Sequence, residues 1–293
     1  MIIKILGQGP WGRALASLLQ ENKQQVSFLT REESSHDQDV LVLALPTQAM
    51  RTALTYISFL HKTPIIINTS KGIEQKTHYF PHQIAQSIFG KKIDYYALMG
   101  PSFATEVTAK MPTLVNLGYT HKNDHTEIIR KLFLTDFFRV KLTHGVEALE
   151  LAAAFKNIYA IGCGVSTGLG YGSNTRTKLM VLAIDELQIL SDALAIHRDS
   201  NATPETIGDI ILTCSSIESR NFTFGKLLAD HSVQESRTLI KSTVEGYHSL
   251  ASVSFFEERA QIKLPLAHFI EEVVKADNPN EIKHRFDTFI KTL

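Results

Sequence analysis

Cysteine is scarce in this chain: 293 residues contain two, Cys163 and Cys214. Two thiols cannot form the disulfide framework of a small secreted domain, and neither has the spacing to cysteine or histidine that makes a zinc site. Reduced thiols in a cytoplasmic protein are the expectation. Net charge is also missing. Thirty Lys and Arg are matched by thirty Asp and Glu, giving a formal charge of +0. Such a chain has no global basic field for nucleic acid or an anionic membrane, so any anionic ligand must be held by a local site. No apolar run approaches the ~20 residues of a membrane span. The start, Met1 to Leu6, is apolar too briefly to read as a signal peptide. There is no internal repeat and no low-complexity segment. Hydrophobic residues at 44% and charged residues at 20% are ordinary for globular proteins, and the length suits one large or two medium domains.

Apolar runs at 2–6, 26–30, 40–45, 65–68, 95–99 and 113–117 read as strands, with helical spacing at 13–22, 47–60 and 127–134 between them. Alternating strands and helices predict a parallel α/β sheet. The texture changes near Lys141. Helical signals then run over 147–167, 176–195, 204–214 and 244–259, and Pro265 and Pro279 each open a further helix, proline being tolerated at a first helical position. The expectation is an α/β domain over 1–140 followed by an all-helical domain over 141–293.

Gly7-x-Gly9-x-x-Gly12 lies between the first strand and the first helix. Glycines at these positions allow a tight turn, close approach of a pyrophosphate and close helix–strand contact, and the helix N-terminus favours the phosphate charge. Pro10 and Trp11 lie within this candidate cofactor loop. About 20 residues on, where NAD binders carry a carboxylate for the ribose 2′-hydroxyl, stand Thr30 and Arg31. No carboxylate at Thr30 repels a 2′-phosphate, and Arg31 can pair with one bidentately. NADP is therefore the first choice, with Glu32 and Glu33 keeping NAD open.

Four polar segments interrupt apolar surroundings. Lys71-Gly72-Ile73-Glu74 and Gly100-Pro101-Ser102-Phe103-Ala104 each follow a strand, where open α/β sheets bind ligands. Lys156-Asn157 sits in a helix so apolar that a lysine is costly unless it is paired or functional. In the fourth, Asp209 and Thr213 share a helix face, and Ser219-Arg220-Asn221 follows a helix end, where Arg220 and Asn221 can grip a phosphate. The pairs His78/His82 and His121/His125 have helical spacing but no acidic third ligand, so they are expected as surface histidines and no metal site is expected. Phe255, Phe256, Phe286 and Phe289 are expected to fill helix contacts.

The ordered segments GQGPWGRALA, SKGIE, GPSFATEV, FKNIYAIGCGV, GDIILTC, SRNFTFG and VEG resemble the bacterial NAD(P)-dependent glycerol-3-phosphate dehydrogenases. The resemblance spans Gly7 to Gly246. It implies a Rossmann-like N-terminal domain and a helical substrate domain. It also implies reversible hydride transfer between dihydroxyacetone phosphate and sn-glycerol 3-phosphate, supplying phospholipid synthesis in the cytoplasm. Lys156 matches the family's catalytic lysine, and Lys71 a second lysine that contacts substrate and cofactor. The two cations are expected to depress each other's pKa. Asp209 and Thr213 match residues that orient the catalytic lysine. Gly100, Ser102, Asn157, Ser219, Arg220 and Asn221 match substrate-side positions. Gly7, Gly9, Pro10, Trp11, Gly12, Arg31, Ala104, Arg220 and Glu245 match cofactor contacts. Pro10 stands where the family often has serine. Family members usually carry a much longer stretch than the one between Arg31 and Asp39, which predicts a weakened hold on the adenosine end. A non-catalytic dinucleotide binder and a related hydroxyacid dehydrogenase are the alternatives. The partner expected is a small phosphorylated substrate, with no nucleic acid and no stable membrane insertion; a homodimer is compatible with the helical domain.

Overall fold

In the computed structural model, residues 1–30, 38–57, 64–196 and 203–292 are described. Among the described residues, seven strands form one sheet in the order β2-β1-β3-β4-β5-β6-β7. They are β1 (Ile2–Leu6), β2 (Gln25–Phe28), β3 (Val40–Leu43), β4 (Ile65–Asn68), β5 (Tyr95–Met99), β6 (Thr113–Tyr119) and β7 (Phe138–His144). The first five are mutually parallel. β6 runs antiparallel to β5, and β7 parallel to β6. The sheet is thus not uniformly parallel. The link from β5 to β6 holds only the short helix α4 (Ala104–Thr108), and the chain returns directly instead of crossing the sheet as a parallel partner would require.

Side chains alternate across each strand. Ile3, Ile5, Val40 and Val42 face one side and meet Leu15 and Leu19 of α1 (Pro10–Glu21) and Ile129 and Phe133 of α5 (Asp124–Phe133). Leu41, Leu43 and Ile66 face the other side and meet Met50 and Leu54 of α2 (Thr47–Thr55) and Ile84 of α3 (Pro81–Phe89). β7 alternates Phe138, Val140 and Leu142 with Arg139 and Lys141. It carries the sheet to His144, past the boundary drawn at residue 140.

Helix α6 (Val146–Gly168) joins the two halves. Its Val146, Leu149 and Ala153 lie on the sheet, while Leu151, Phe155, Ile158 and Ile161 form the centre of the helical core. By length and composition it could cross a membrane, but its apolar window is wholly buried within the protein, which is the environment of a core helix. The helix Arg220–Leu227 crosses it backbone to backbone. A Cβ at Gly164 would collide with the Phe222 carbonyl, and one at Gly225 with the Ile161 carbonyl. Among the described residues, the remaining helices are Ser173–Ala193, Pro204–Ser215, Val233–Ile240, Glu245–Ser249, Val253–Ala260, Pro265–Ala276 and Pro279–Ile290. The expected single helix over 244–259 is thus broken, with a 3₁₀ turn at Leu250–Ser252. Phe256 and Phe286 are fully buried, and Phe269 stacks on Phe289.

Candidate active site

The ends of β1, β3, β4 and β5 deliver Gly7, Pro46, Lys71 and Gly100 to the same edge of the sheet. At the glycine loop the three positions differ as a dinucleotide fingerprint demands. Gly7 has φ +120°, and a Cβ there would collide with the Ala44 carbonyl. A Cβ on Gly12 would collide with the Gly7 carbonyl, whereas Gly9 faces open space. Turn, close approach and helix contact are therefore each present. Gly9 caps α1 and Pro10 opens it, leaving the helix N-terminus free for an anion. The Trp11 indole N–H is buried without a partner among the described residues. Arg31 lies outside the described residues, as does most of the shortened connection; Thr30, just before it, is exposed.

The helix Pro204–Ser215 starts at Thr203, whose hydroxyl accepts from Thr206 N–H at 3.2 Å and from Asn116 Nδ2 of β6 at 3.0 Å. Anchored to the sheet, it turns Asp209 and Thr213 toward α6. There Lys156 Nζ donates to Asp209 Oδ1 and to Thr213 Oγ1, both at 2.7 Å. Lys71 Nζ donates to Asp209 Oδ2 and to the Gly100 carbonyl, both at 2.8 Å. One carboxylate thus bridges two ammonium groups. Lys156 is 5% and Asp209 4% exposed. Burial lowers Lys156 to about 8, with Lys71 adding to the fall and Asp209 opposing it. Burial works against the Asp209 charge, but Lys156 and Lys71 outweigh it and hold the acid below its ordinary value.

Gly100 has φ +155°, with the Val115 backbone close to where a Cβ would lie. Its carbonyl also accepts from Ser102 Oγ at 3.0 Å. Asn157 Nδ2 holds the Lys71 carbonyl at 2.8 Å, and Asn157 Oδ1 accepts from Asn221 Nδ2 at 2.9 Å. Asn221 Oδ1 in turn accepts from Gly246 N–H at 2.9 Å, which ties Glu245 to the cluster. Ser219 caps the helix that begins at Arg220, and Arg220 itself is exposed. Ala104 opens α4 beside Ser102.

Glu245 Oε1 accepts from Thr47 N–H at 3.0 Å. Its Oε2 and Thr47 Oγ1 are buried without partners among the described residues, and both lie against Gly72. Burial raises the carboxyl to about 7, against the Thr47 bond and Arg220. Two orphaned oxygens beside a glycine, on the sheet edge that carries the fingerprint loop, fit a ligand with hydrogen-bond donors. The residues present therefore fit a dinucleotide. Sequence patterns do not single out Thr47; its one signal is a polar residue directly after the strand-ending Pro46.

His82 departs from the expectation of a surface residue. Its side chain is 14% exposed and its Nδ1 lies 2.7 Å from Glu150 Oε2. Burial opposes its charge, but Glu150 prevails and the imidazole titrates above its ordinary value. His78 is half-buried against Phe255, while His121 and His125 are exposed. No three-residue group able to hold a metal is present among the described residues.

A fingerprint loop on a doubly covered sheet, facing a lysine–aspartate–lysine cluster at the root of a helical domain, defines a dinucleotide-dependent oxidoreductase. Family models described as NAD-dependent glycerol-3-phosphate dehydrogenase N-terminus and C-terminus match residues 30–125 and 145–283. A glycerol-3-phosphate dehydrogenase [NAD(P)+] from Syntrophomonas wolfei is 30% identical, over 94% of this chain and 91% of its own. One from Aeromonas salmonicida is 32% identical, over 83% and 73%. In structure, the glycerol-3-phosphate dehydrogenase of Coxiella burnetii covers 99% of this chain and 98% of its own, with a TM-score of 0.88 at 24% identity. The chain belongs to the NAD(P)-dependent glycerol-3-phosphate dehydrogenase family.

Proposed function

We propose that the chain catalyses the reversible reduction of dihydroxyacetone phosphate to sn-glycerol 3-phosphate, supplying glycerophospholipid synthesis. The observation that carries this reading is the Asp209 carboxylate shared by Lys156 and Lys71. Bound NAD(P)H supplies the hydride. Lys156, lowered to about 8, is poised near neutral pH to give a proton to the carbonyl oxygen and, in oxidation, to take it back; such transfer is worth about 10²–10⁴-fold. Lys71 adds a second cation toward the developing alkoxide. Asp209 opposes the burial that lowers Lys156 and pairs with Lys71 on its other oxygen, and Thr213 fixes the direction of the Lys156 ammonium. Gly100, Ser102, Asn157, Ser219, Arg220 and Asn221 line the substrate side, with Arg220 offered to the phosphate. Gly7, Gly9, Pro10, Trp11, Gly12, Ala104 and Glu245 hold the dinucleotide. A non-catalytic binder has no use for a buried lysine–aspartate pair.

The sheet domain, whose last strand ends at His144, holds the dinucleotide and supplies Lys71, and the helical remainder supplies Lys156, Asp209 and Thr213. NADP is the preferred cofactor, on the absence of a carboxylate at Thr30 and the presence of Arg31. The enzyme works in the cytoplasm, in keeping with two buried free thiols, Cys163 and Cys214, and as a homodimer. Purified protein, dihydroxyacetone phosphate and either reduced nucleotide should show loss of nicotinamide absorbance, faster with NADPH. No turnover with either nucleotide would overturn the reading, and light scattering reads the assembly.

A further inference from the structure

Glu150 is the second charged group in the apolar core of α6 and is not part of the lysine–aspartate cluster. It is 1% exposed. Four donors surround it. Asn68 Nδ2 at 2.8 Å and the Tyr95 hydroxyl at 2.6 Å reach Oε1; His82 N–H at 3.1 Å and His82 Nδ1 at 2.7 Å reach Oε2. A buried carboxylate with this many donors is fully satisfied, and breaking such a set is costly.

The bond to Asn68 has a consequence for the lysine. An ionised carboxylate only accepts, so it fixes which end of the Asn68 amide faces it. The amide nitrogen turns to Glu150 and also donates to the Ser70 carbonyl at 3.1 Å. The amide oxygen is left to accept from Ser70 N–H at 2.8 Å. Both backbone groups of Ser70 are thereby held, and its hydroxyl donates to the Leu45 carbonyl at 2.7 Å. Ser70 precedes Lys71, whose own carbonyl is held by Asn157. Glu150 and Asn157 are two turns apart on one face of α6. The same helix therefore grips the segment carrying Lys71 on both sides, through Asn68 before it and directly after it.

We propose that Glu150 is a positioning residue for the reaction, acting through Asn68 and Ser70 to set the backbone of Lys71 so that its ammonium meets Asp209 and Gly100. The proposal rests on the dehydrogenase reading above. The Glu150 side chain is 1% exposed and acts through its hydrogen bonds to Asn68, Tyr95 and His82.

The test is a double-mutant cycle between Glu150→Gln and Lys71→Ala, read as kcat/KM for dihydroxyacetone phosphate, with melting temperature and dinucleotide Kd measured on the same samples. Glu150→Gln keeps the volume but loses the acceptor-only character, so Asn68 is free to flip. Glu150→Gln alone should lower kcat/KM about tenfold or more, as displaced catalytic groups do, in a protein that still melts cooperatively. In the Lys71→Ala background, read by single-turnover rates, the same change should cost less than about twofold, because its target is gone. Asn68→Ala supplies a second route, since it removes the relay and leaves Glu150 its other donors. It should show the same loss and the same disappearance. A full penalty in the Lys71→Ala background, or wild-type kcat/KM in both single variants, overturns the proposal. Loss of folding in both variants also overturns it by assigning the network to stability. Absence of turnover in the unaltered protein would instead defeat the dehydrogenase reading itself.

Discussion

Asp209 and Lys156 meet at 2.7 Å in a region with almost no solvent exposure, and the same carboxylate takes Lys71 on its other oxygen. Burial disfavours the Lys156 charge, the paired carboxylate resists deprotonation, and the second ammonium removes part of that resistance. The balance leaves Lys156 at about 8, so it is mostly protonated at neutral pH yet gives up its proton readily.

The direction of the reaction then sets the sign of its pH dependence. Reduction of the ketone needs Lys156 protonated, so its kcat should be level at lower pH and fall as pH rises through about 8. Oxidation needs the neutral amine, so its kcat should rise through the same range. Initial rates in both directions across about pH 6 to 10 check this, and parallel profiles would remove Lys156 from the proton-transfer step.

Asp209→Asn removes the charge that holds the two cations together. Lys156 keeps its burial and loses the partner that raises its pKa, so the falling limb of the reduction profile should move to lower pH. The amide keeps one acceptor oxygen but loses the charge and the second acceptor, which should lower kcat by about 10² or more. Thr213→Val takes away one hydrogen bond of about 1 kcal/mol and should cost about tenfold or less, with the limb unmoved.

Local sequence made part of this site legible. Lys156 is legible because a lysine between Phe155 and Asn157 in an apolar helix is costly unless it is paired or functional. Glu150, between Leu149 and Leu151, carries the same signal on the same helix. What no local pattern holds is the partner: Lys71 and Asp209 are 138 residues apart, and only the sheet edge and α6 bring them together. β7 shows a period-two alternation from Phe138 to Leu142 that marks a strand, hidden by the helical texture that follows. The reversed direction of β6 is set by the path of its connection, which strand composition does not encode.

Gly164 and Gly225 let two helices touch backbone to backbone, and that contact fixes where Arg220 and Asn221 stand relative to Asn157. Gly225→Ala places a methyl group against the Ile161 carbonyl, an atom that cannot rotate away. Overfilling a tight core costs about 1–3 kcal/mol, and more where backbone must move. The melting temperature should drop, and KM for dihydroxyacetone phosphate should rise because the Asn157–Asn221 bond of 2.9 Å is displaced. An unchanged KM in a destabilised protein would separate helix contact from substrate grip.

Glu245 offers a test that needs no turnover. Its carboxyl titrates at about 7 in the folded protein because burial disfavours the charge, against an ordinary 4.5. Below the unfolded value it is neutral in both states and carries no penalty. Between the two values the folded state binds more protons than the unfolded one, so stability must fall as pH rises. Above about 7 the carboxylate is ionised in both states and the full burial cost is present. Glu245→Gln keeps an oxygen for the Thr47 N–H and abolishes the titration. Its melting temperature should therefore exceed that of the unaltered protein by a margin that widens from about pH 5 to pH 8, with dinucleotide absent. A constant margin would place the titration elsewhere.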